Sequence, residues 1–236
     1  HNIYAYCRWA DDLADETSGP AESLRLLDWW QGELQDCYRG RCRHPVFVAL
    51  AETIRQFEIP IDPFADLLTA FRQDQRTDRY ETFDELLAYC RHSANPVGHL
   101  ILYLGRSYDS GRAEMSDAIC TGLQLANFWQ DVARDFDRGR IYLPQADCRR
   151  FGYDRQMFAR HEVNPAFRAL LGYEVDRATA WLERGLPLLD GLPAELRLDV
   201  CLFAQGGLAI LDRIRGLDYD VWSSRPTVGK LDKLRI

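Results

Sequence analysis

Several common functional signatures are missing from this sequence. There is no G-x-G-x-x-G and no G-x-x-x-x-G-K-[ST], so neither a dinucleotide-binding turn nor a P-loop is encoded. G-x-S-x-G is absent too. With no H-E-x-x-H and no E-x-x-H, a zincin site and a bundle-type di-iron site are excluded. No pair of cysteines is spaced C-x-x-C. The seven present (Cys7, Cys37, Cys42, Cys90, Cys120, Cys148 and Cys201) are an odd number in a chain long enough to need no staples. They are expected to be mostly buried thiols of a reducing cytosol. The longest apolar stretch, Val200 to Leu211, is interrupted by Gln205 and is too short to span a bilayer. Positive charge is outnumbered: the net charge of −7 and pI of about 5.3 argue against nucleic acid as a partner. No signal peptide is visible, so a cytoplasmic location is expected. The chain opens at His1 inside a helical pattern, and a preceding segment is expected to be missing.

Alternating strand patterns are also lacking, while helical periodicity is abundant. The expected helices run over about 2–16, 21–38, 45–57, 62–76, 82–105 (interrupted at Asn95-Pro96), 113–137, 165–186 and 193–216. Their ends carry recognisable chemistry. Gly40 and Gly139 close two of them, Asp62-Pro63 opens one, and Thr82 with Glu85 reads as a capping box. Between Arg138 and Asp154 lies an irregular stretch rich in arginine and aromatic residues. Without a linker, repeat or low-complexity tract, the reading is one all-α domain over 1–236. The last residues are basic, with Lys230, Lys233 and Arg235, which points to peripheral contact with an anionic membrane face.

Two polar stripes stand out. In QLANFWQDVARD, Asn127, Asp131 and Asp135 recur at every fourth residue, one helical face, with Gln124 a turn earlier and apolar residues between. In IYAYCRWADDLAD, Tyr4, Arg8, Asp11 and Asp15 follow at spacings of four, three and four, again one face. Either stripe alone reads as well as a solvated helix surface. Together they favour a pocket with acid on two walls, where Mg²⁺, which binds few carboxylates plus waters and phosphate oxygens, bridges to a diphosphate. Arg138, Arg140, Arg149 and Arg150 are either a solvated basic loop or partners of that diphosphate. His92 and His99 read as satisfied or exposed histidines. Phe71, Tyr89, Phe128 and Trp129 read as core or as a cavity wall.

IYAYCRWADDLADE and QLANFWQDVARDFDRGRIYLP resemble the two aspartate-rich motifs of the squalene and phytoene synthase family, and YCRHSANPVG resembles its mid-chain motif. The resemblance covers nearly the whole chain and is closest to the bacterial hopanoid branch that makes hydroxysqualene. It implies an isoprenoid-synthase-type helical bundle around a central cavity. It also implies Mg²⁺ held by Asp11, Asp15, Asn127, Asp131 and Asp135. Tyr4, Arg8, Tyr89, Gln124, Arg140, Tyr142 and Arg225 carry over as residues on the substrate side. Gln130 departs from the arginine common before the aspartate, Phe128-Trp129 from an aliphatic pair, and Gly207 from a cavity tyrosine.

The implied reaction is presqualene diphosphate plus water to hydroxysqualene and diphosphate, with Mg²⁺ and without NADPH. The neighbouring readings are a presqualene diphosphate, squalene or phytoene synthase, or a terpene cyclase. From a different class, a helical scaffold or lipid carrier is disfavoured by the complete aspartate set.

Overall fold

The structure, a computed structural model, describes residues 1–227 and 229. Twelve α-helices are described: α1 (Asn2–Asp15), α2 (Pro20–Tyr38), α3 (Pro45–Phe57), α4 (Asp62–Asp74), α5 (Phe83–Ser93), α6 (Asn95–Leu104), α7 (Ser110–Gln130), α8 (Val132–Asp137), α9 (Gln145–Phe151), α10 (Arg155–Ala159), α11 (Pro165–Gly185) and α12 (Ala194–Gly216). A 3-10 turn (Leu186–Gly191) joins the last two. Among the described residues there is no strand, only an isolated parallel bridge between Arg79 and Ile141. The all-α expectation is met. The basic residues Lys230, Lys233 and Arg235 lie outside the described residues. No described helix is long and apolar enough to cross a membrane.

The chain divides into two compact units, His1–Thr77 with Arg91–Tyr108, and Asp78–Cys90 with Asp109–Ile236. In the first, α1 packs on α2, α3 and α4. Its core is aromatic: Tyr6, Trp30, Phe47 and Phe64 are fully buried, and the Tyr6 hydroxyl donates to the Phe64 carbonyl at 2.9 Å. Alanines at positions 10 and 14 let the buried side of α1 sit close, which leaves its other face for Tyr4, Arg8, Asp11 and Asp15.

In the second unit α7, α11 and α12 pack on one another. Close approach is the reason for glycine at three positions. A Cβ on Gly185 would lie 2.4 Å from Ile119 Cγ1 and 2.7 Å from the Met115 carbonyl oxygen. One on Gly122 would lie 2.8 Å from the Leu182 amide nitrogen, and one on Gly207 2.7 Å from Leu123 Cδ2. Gly207 faces the side-chain ends of Leu123 and Leu182, while Gly206 and Gly216 on α12 face open space. Helix α9 is tied to α11 by Arg177, which donates to Asp147 at 2.7 Å and to Glu174 at 3.1 Å and covers the Phe83 ring at 4.2 Å. Glu174 is fully buried, and desolvation pushes its carboxyl up to about 8 against the pull of Arg177.

The helix ends follow the residues with small corrections. Thr82 Oγ1 accepts from the Glu85 amide at 3.2 Å, while the Glu85 carboxylate accepts from the Glu81 amide at 2.7 Å rather than from Thr82. Asn164 Oδ1 accepts from the Phe167 amide at 2.9 Å. Asp62 is already helical, with Ile61 at the cap position. The stretch expected to be irregular contains α9, closed by Gly152 at φ +72°, a left-handed position that disfavours other residues. All seven cysteines are free. Three are buried and four half-buried, fewer than expected inside.

Gly185→Ala is expected to destabilise the chain by about 1–3 kcal/mol, because backbone atoms of α7 block the added methyl. Gly206→Ala is expected to be neutral or to stabilise by about 0.5–1 kcal/mol. Urea unfolding of both variants checks the contrast.

Candidate active site

In the second unit, the polar stripe stands on α7 and α8. The single helix expected over 113–137 is broken at Asp131, which closes α7 and opens α8 with φ −106° and ψ 16°. The four-residue register survives the break. The Asp131 amide donates to the Asn127 carbonyl at 3.0 Å and the Asp135 amide to the Asp131 carbonyl at 2.9 Å. Asn127, Asp131 and Asp135 thus remain successive steps of one face, while Leu125, Ala126 and Trp129 turn into the core.

The segment after α8 brings the next residues. Backbone bonds from Ile141 to Asp78 (2.8 Å), Gln145 to Tyr80 (3.0 Å) and Ala146 to Glu81 (2.9 Å) hold RIYLP and the start of α9 along residues 78–81. Ile141 and Leu143 point inward, and Tyr142 stacks on Phe128 with centroids 3.8 Å apart and planes 12° from parallel. Tyr80 and Tyr89 complete a four-ring cluster, Tyr80 being 5.9 Å from Tyr142 and Tyr89 6.2 Å from Phe128. A narrow cavity of about 10 Å³, room for one water molecule, is lined by Phe128, Asp135, Arg140, Tyr142 and Phe158 among others. Phe128 faces this cleft. Trp129 is fully buried, so of the adjacent pair only Phe128 shapes it.

The electrostatics favour a cation. Burial, then the neighbouring Asp131 carboxylate, push the Asp135 carboxyl from 3.8 up to about 6, against the pull of Arg138 and Arg140. Asp131 is held by Arg225, whose Nε donates to Oδ1 at 2.6 Å and Nη2 to Oδ2 at 2.9 Å, with Arg134 3.7 Å away. Of the four arginines in the 138–150 stretch, Arg140 lines the cleft. Arg149 pairs with Glu81, and Arg150 lies 4.7 Å above the Tyr173 ring. Gln124 stands half-buried one turn before Asn127.

In the first unit, Arg8 is the hub of the other stripe. It reaches Asp11 at 2.8 Å, Asp12 at 2.5 Å and Glu16 at 3.5 Å. Desolvation first and Asp15 second raise the Asp11 carboxyl, and Arg8 opposes both. Tyr4 is 71% exposed on the same helix and Asp15 is its final residue. An open groove of 340 Å³ along α4 beside Arg72 and Arg76 carried no sequence signal. His92 meets Asp66 at 3.2 Å and His99 packs edge-on to Tyr108.

Taken each by itself, the two stripes suit a hard divalent ion. They offer carboxylate and amide oxygens, and the burial and neighbouring carboxylate that raise Asp135 in the one and Asp11 in the other are costs that a cation relieves. Among the described residues no three His, Cys, Asp or Glu side chains form a closed metal cage. An ion here would complete its shell with water and phosphate oxygens, as Mg²⁺ does.

The squalene/phytoene synthase family model matches residues 1–232. The chain belongs to the squalene/phytoene synthase family. Members of this family act on prenyl diphosphates, and divalent metal assists in binding them. The chain is 32% identical to the 15-cis-phytoene synthase of Synechocystis sp. over 98% of its own length and 72% of that protein. It is equally identical to the phytoene synthase of Arthrospira platensis, covering 79% of it. The crystal structure of squalene synthase HpnC from Alicyclobacillus acidocaldarius superposes with a TM-score of 0.89 at 40% identity, over 92% of this chain and 82% of that one. A ligand-bound dehydrosqualene synthase follows at 0.88 and 27%, over 99% and 82%. The family's isoprenoid-synthase helical fold is therefore the fold of this chain.

The raised Asp135 carboxyl sets a pH dependence. The folded chain holds this proton more tightly than the unfolded one. The stabilisation is present below about pH 4 and lost as pH rises through about 6, on the order of 2 kcal/mol after solvent screening. Urea unfolding from pH 4 to 8 is expected to show this decline in the parent chain and a flatter profile in Asp135→Asn.

Proposed function

We propose that this synthase converts presqualene diphosphate and water to hydroxysqualene and diphosphate, with Mg²⁺ and without NADPH. The observation that carries the reading is the second-motif variant NFWQDVARD, whose Phe128 lines the cleft beside Asp135, Arg140 and Tyr142. The 40% identity to HpnC, against 30–33% to phytoene synthases, favours the same branch.

Asp11, Asp15, Asn127, Asp131 and Asp135 would hold the metal. Bound there, Mg²⁺ supplies Lewis acidity toward the departing diphosphate. Arg8, Arg140 and Arg225 donate charge-assisted hydrogen bonds to diphosphate oxygens, which take charge as the C–O bond breaks and its electron pair leaves with the diphosphate. Tyr4 and Gln124 orient that end of the substrate. The cation left behind needs electron-rich, dry walls, and the stacked Phe128 and Tyr142 with buried Tyr89 provide them, worth about 2 kcal/mol or more per desolvated ring. Opening of the cyclopropane carries the charge to the carbon that water attacks. A new C–O bond forms and the water's second proton passes to solvent or to the released diphosphate.

A phytoene synthase reading is favoured by the 32% identity to two such enzymes. Presqualene diphosphate supplied in H₂¹⁸O separates the readings: a labelled C30 alcohol is expected by mass spectrometry. Squalene formed only with NADPH, or a C40 product from geranylgeranyl diphosphate, would overturn the proposal.

Asp131→Ala and Asp11→Ala are each expected to lower diphosphate release at least ~10²-fold while the fold survives. Full turnover at raised Mg²⁺ would remove these residues from the site. Phe128→Ile is expected to change the alcohol-to-hydrocarbon ratio more than the rate of diphosphate release, because its ring meets the cation rather than the leaving group.

A further inference from the structure

Gln130 sits at the end of α7 directly before Asp131, and it is buried. Both ends of its amide are engaged by consecutive residues far along the chain. Its Nε2 donates to the Pro226 carbonyl at 2.5 Å, and its Oε1 accepts from Arg225 Nη2 at 3.0 Å. The same guanidinium grips Asp131 through Nε and Nη2, so a glutamine, an arginine and an aspartate form one closed unit. The amide orientation follows from the partners. A flip would set NH₂ against a guanidinium and oxygen against a carbonyl, repulsive at both ends.

A neutral amide meets both demands, whereas a charged side chain meets one. An arginine at 130 donates but has no acceptor for Arg225, and a glutamate accepts but has no donor for the Pro226 carbonyl. The clamped segment lies beyond the last helix. Upstream it is anchored by Trp222, whose ring stacks on His161 with centroids 4.3 Å apart, and by the Ser223 amide on Asp220 at 2.9 Å. Gln130 supplies the next anchor, at the residue that reaches the aspartate stripe.

We propose that Gln130 is a positioning residue: it clamps the 225–226 backbone and side chain so that Arg225 is delivered onto Asp131, at the diphosphate end of the site, from 94 residues downstream. The clamp stands on geometry alone, and its link to diphosphate rests on the proposed function.

The test is a double-mutant cycle of Gln130→Met and Arg225→Ala with two readouts. In the metal-free protein, amide hydrogen exchange at Ser224, Arg225 and Thr227 is expected to quicken at least about tenfold in Gln130→Met, because both side-chain anchors are gone. Titration calorimetry with Mn²⁺ and inorganic pyrophosphate is expected to show about tenfold weaker binding in each single variant. The double variant is expected to bind no more weakly than Arg225→Ala. Unchanged exchange in Gln130→Met, or additive losses in the double variant, would overturn the clamp. If Gln130→Met fails to fold, Arg225→Ala tests the same contact from its exposed end: faster exchange at Thr227 supports the clamp and unchanged exchange overturns it. A parent chain that binds no pyrophosphate with Mn²⁺ counts against the proposed function, and exchange in the metal-free protein still decides the clamp.

Discussion

Carboxylates one helical turn apart repel, and burying them makes the repulsion worse. The second unit is organised around that problem. Asp131 and Asp135 sit on successive turns, and desolvation together with their proximity raises Asp135 to about 6. Four arginines from three parts of the chain answer it. Arg134 comes from the adjacent turn, Arg138 and Arg140 from the segment just beyond, and Arg225 from the far end of the chain. A surface that must hold opposed charge in this way is suited to a cation and a polyanion together, which is the chemistry of a metal-assisted diphosphate site.

The rest of the unit supports that stripe. Glycines at 122, 185 and 207 bring α11 and α12 so close to α7 that methyl groups would collide, which gives the stripe a rigid back. The extended segment after α8 is pinned by backbone bonds to residues 78–81, and this pairing sets Tyr142 flat on Phe128. In the first unit, alanines in α1 and an aromatic core do the same service for Tyr4, Arg8, Asp11 and Asp15.

Two features of the sequence take on a different meaning in three dimensions. Gln130, a departure from the family's common arginine, is a buried clamp on Arg225 rather than a vacant replacement. Gly207 packs against the side-chain ends of Leu123 and Leu182, and the open positions on α12 are Gly206 and Gly216. Neither was visible in the motifs, because each depends on partners that are dozens of residues away.

The sequence by itself determined the helical class, most helix ends and the two aspartate stripes, since each follows from spacing within a few residues. Four-residue recurrence puts Asn127, Asp131 and Asp135 on one face whatever surrounds them, and Asn164, Thr82 and Gly40 mark ends by local hydrogen bonding or a left-handed turn. Only the tertiary structure decided what depends on distant packing. It broke the long helix at Asp131, turned Phe128 to the cleft and Trp129 to the core, and separated Arg140 from Arg149 and Arg150. It also joined Arg225 to Asp131, because a hydrogen bond across 94 residues leaves no periodicity in the chain to read.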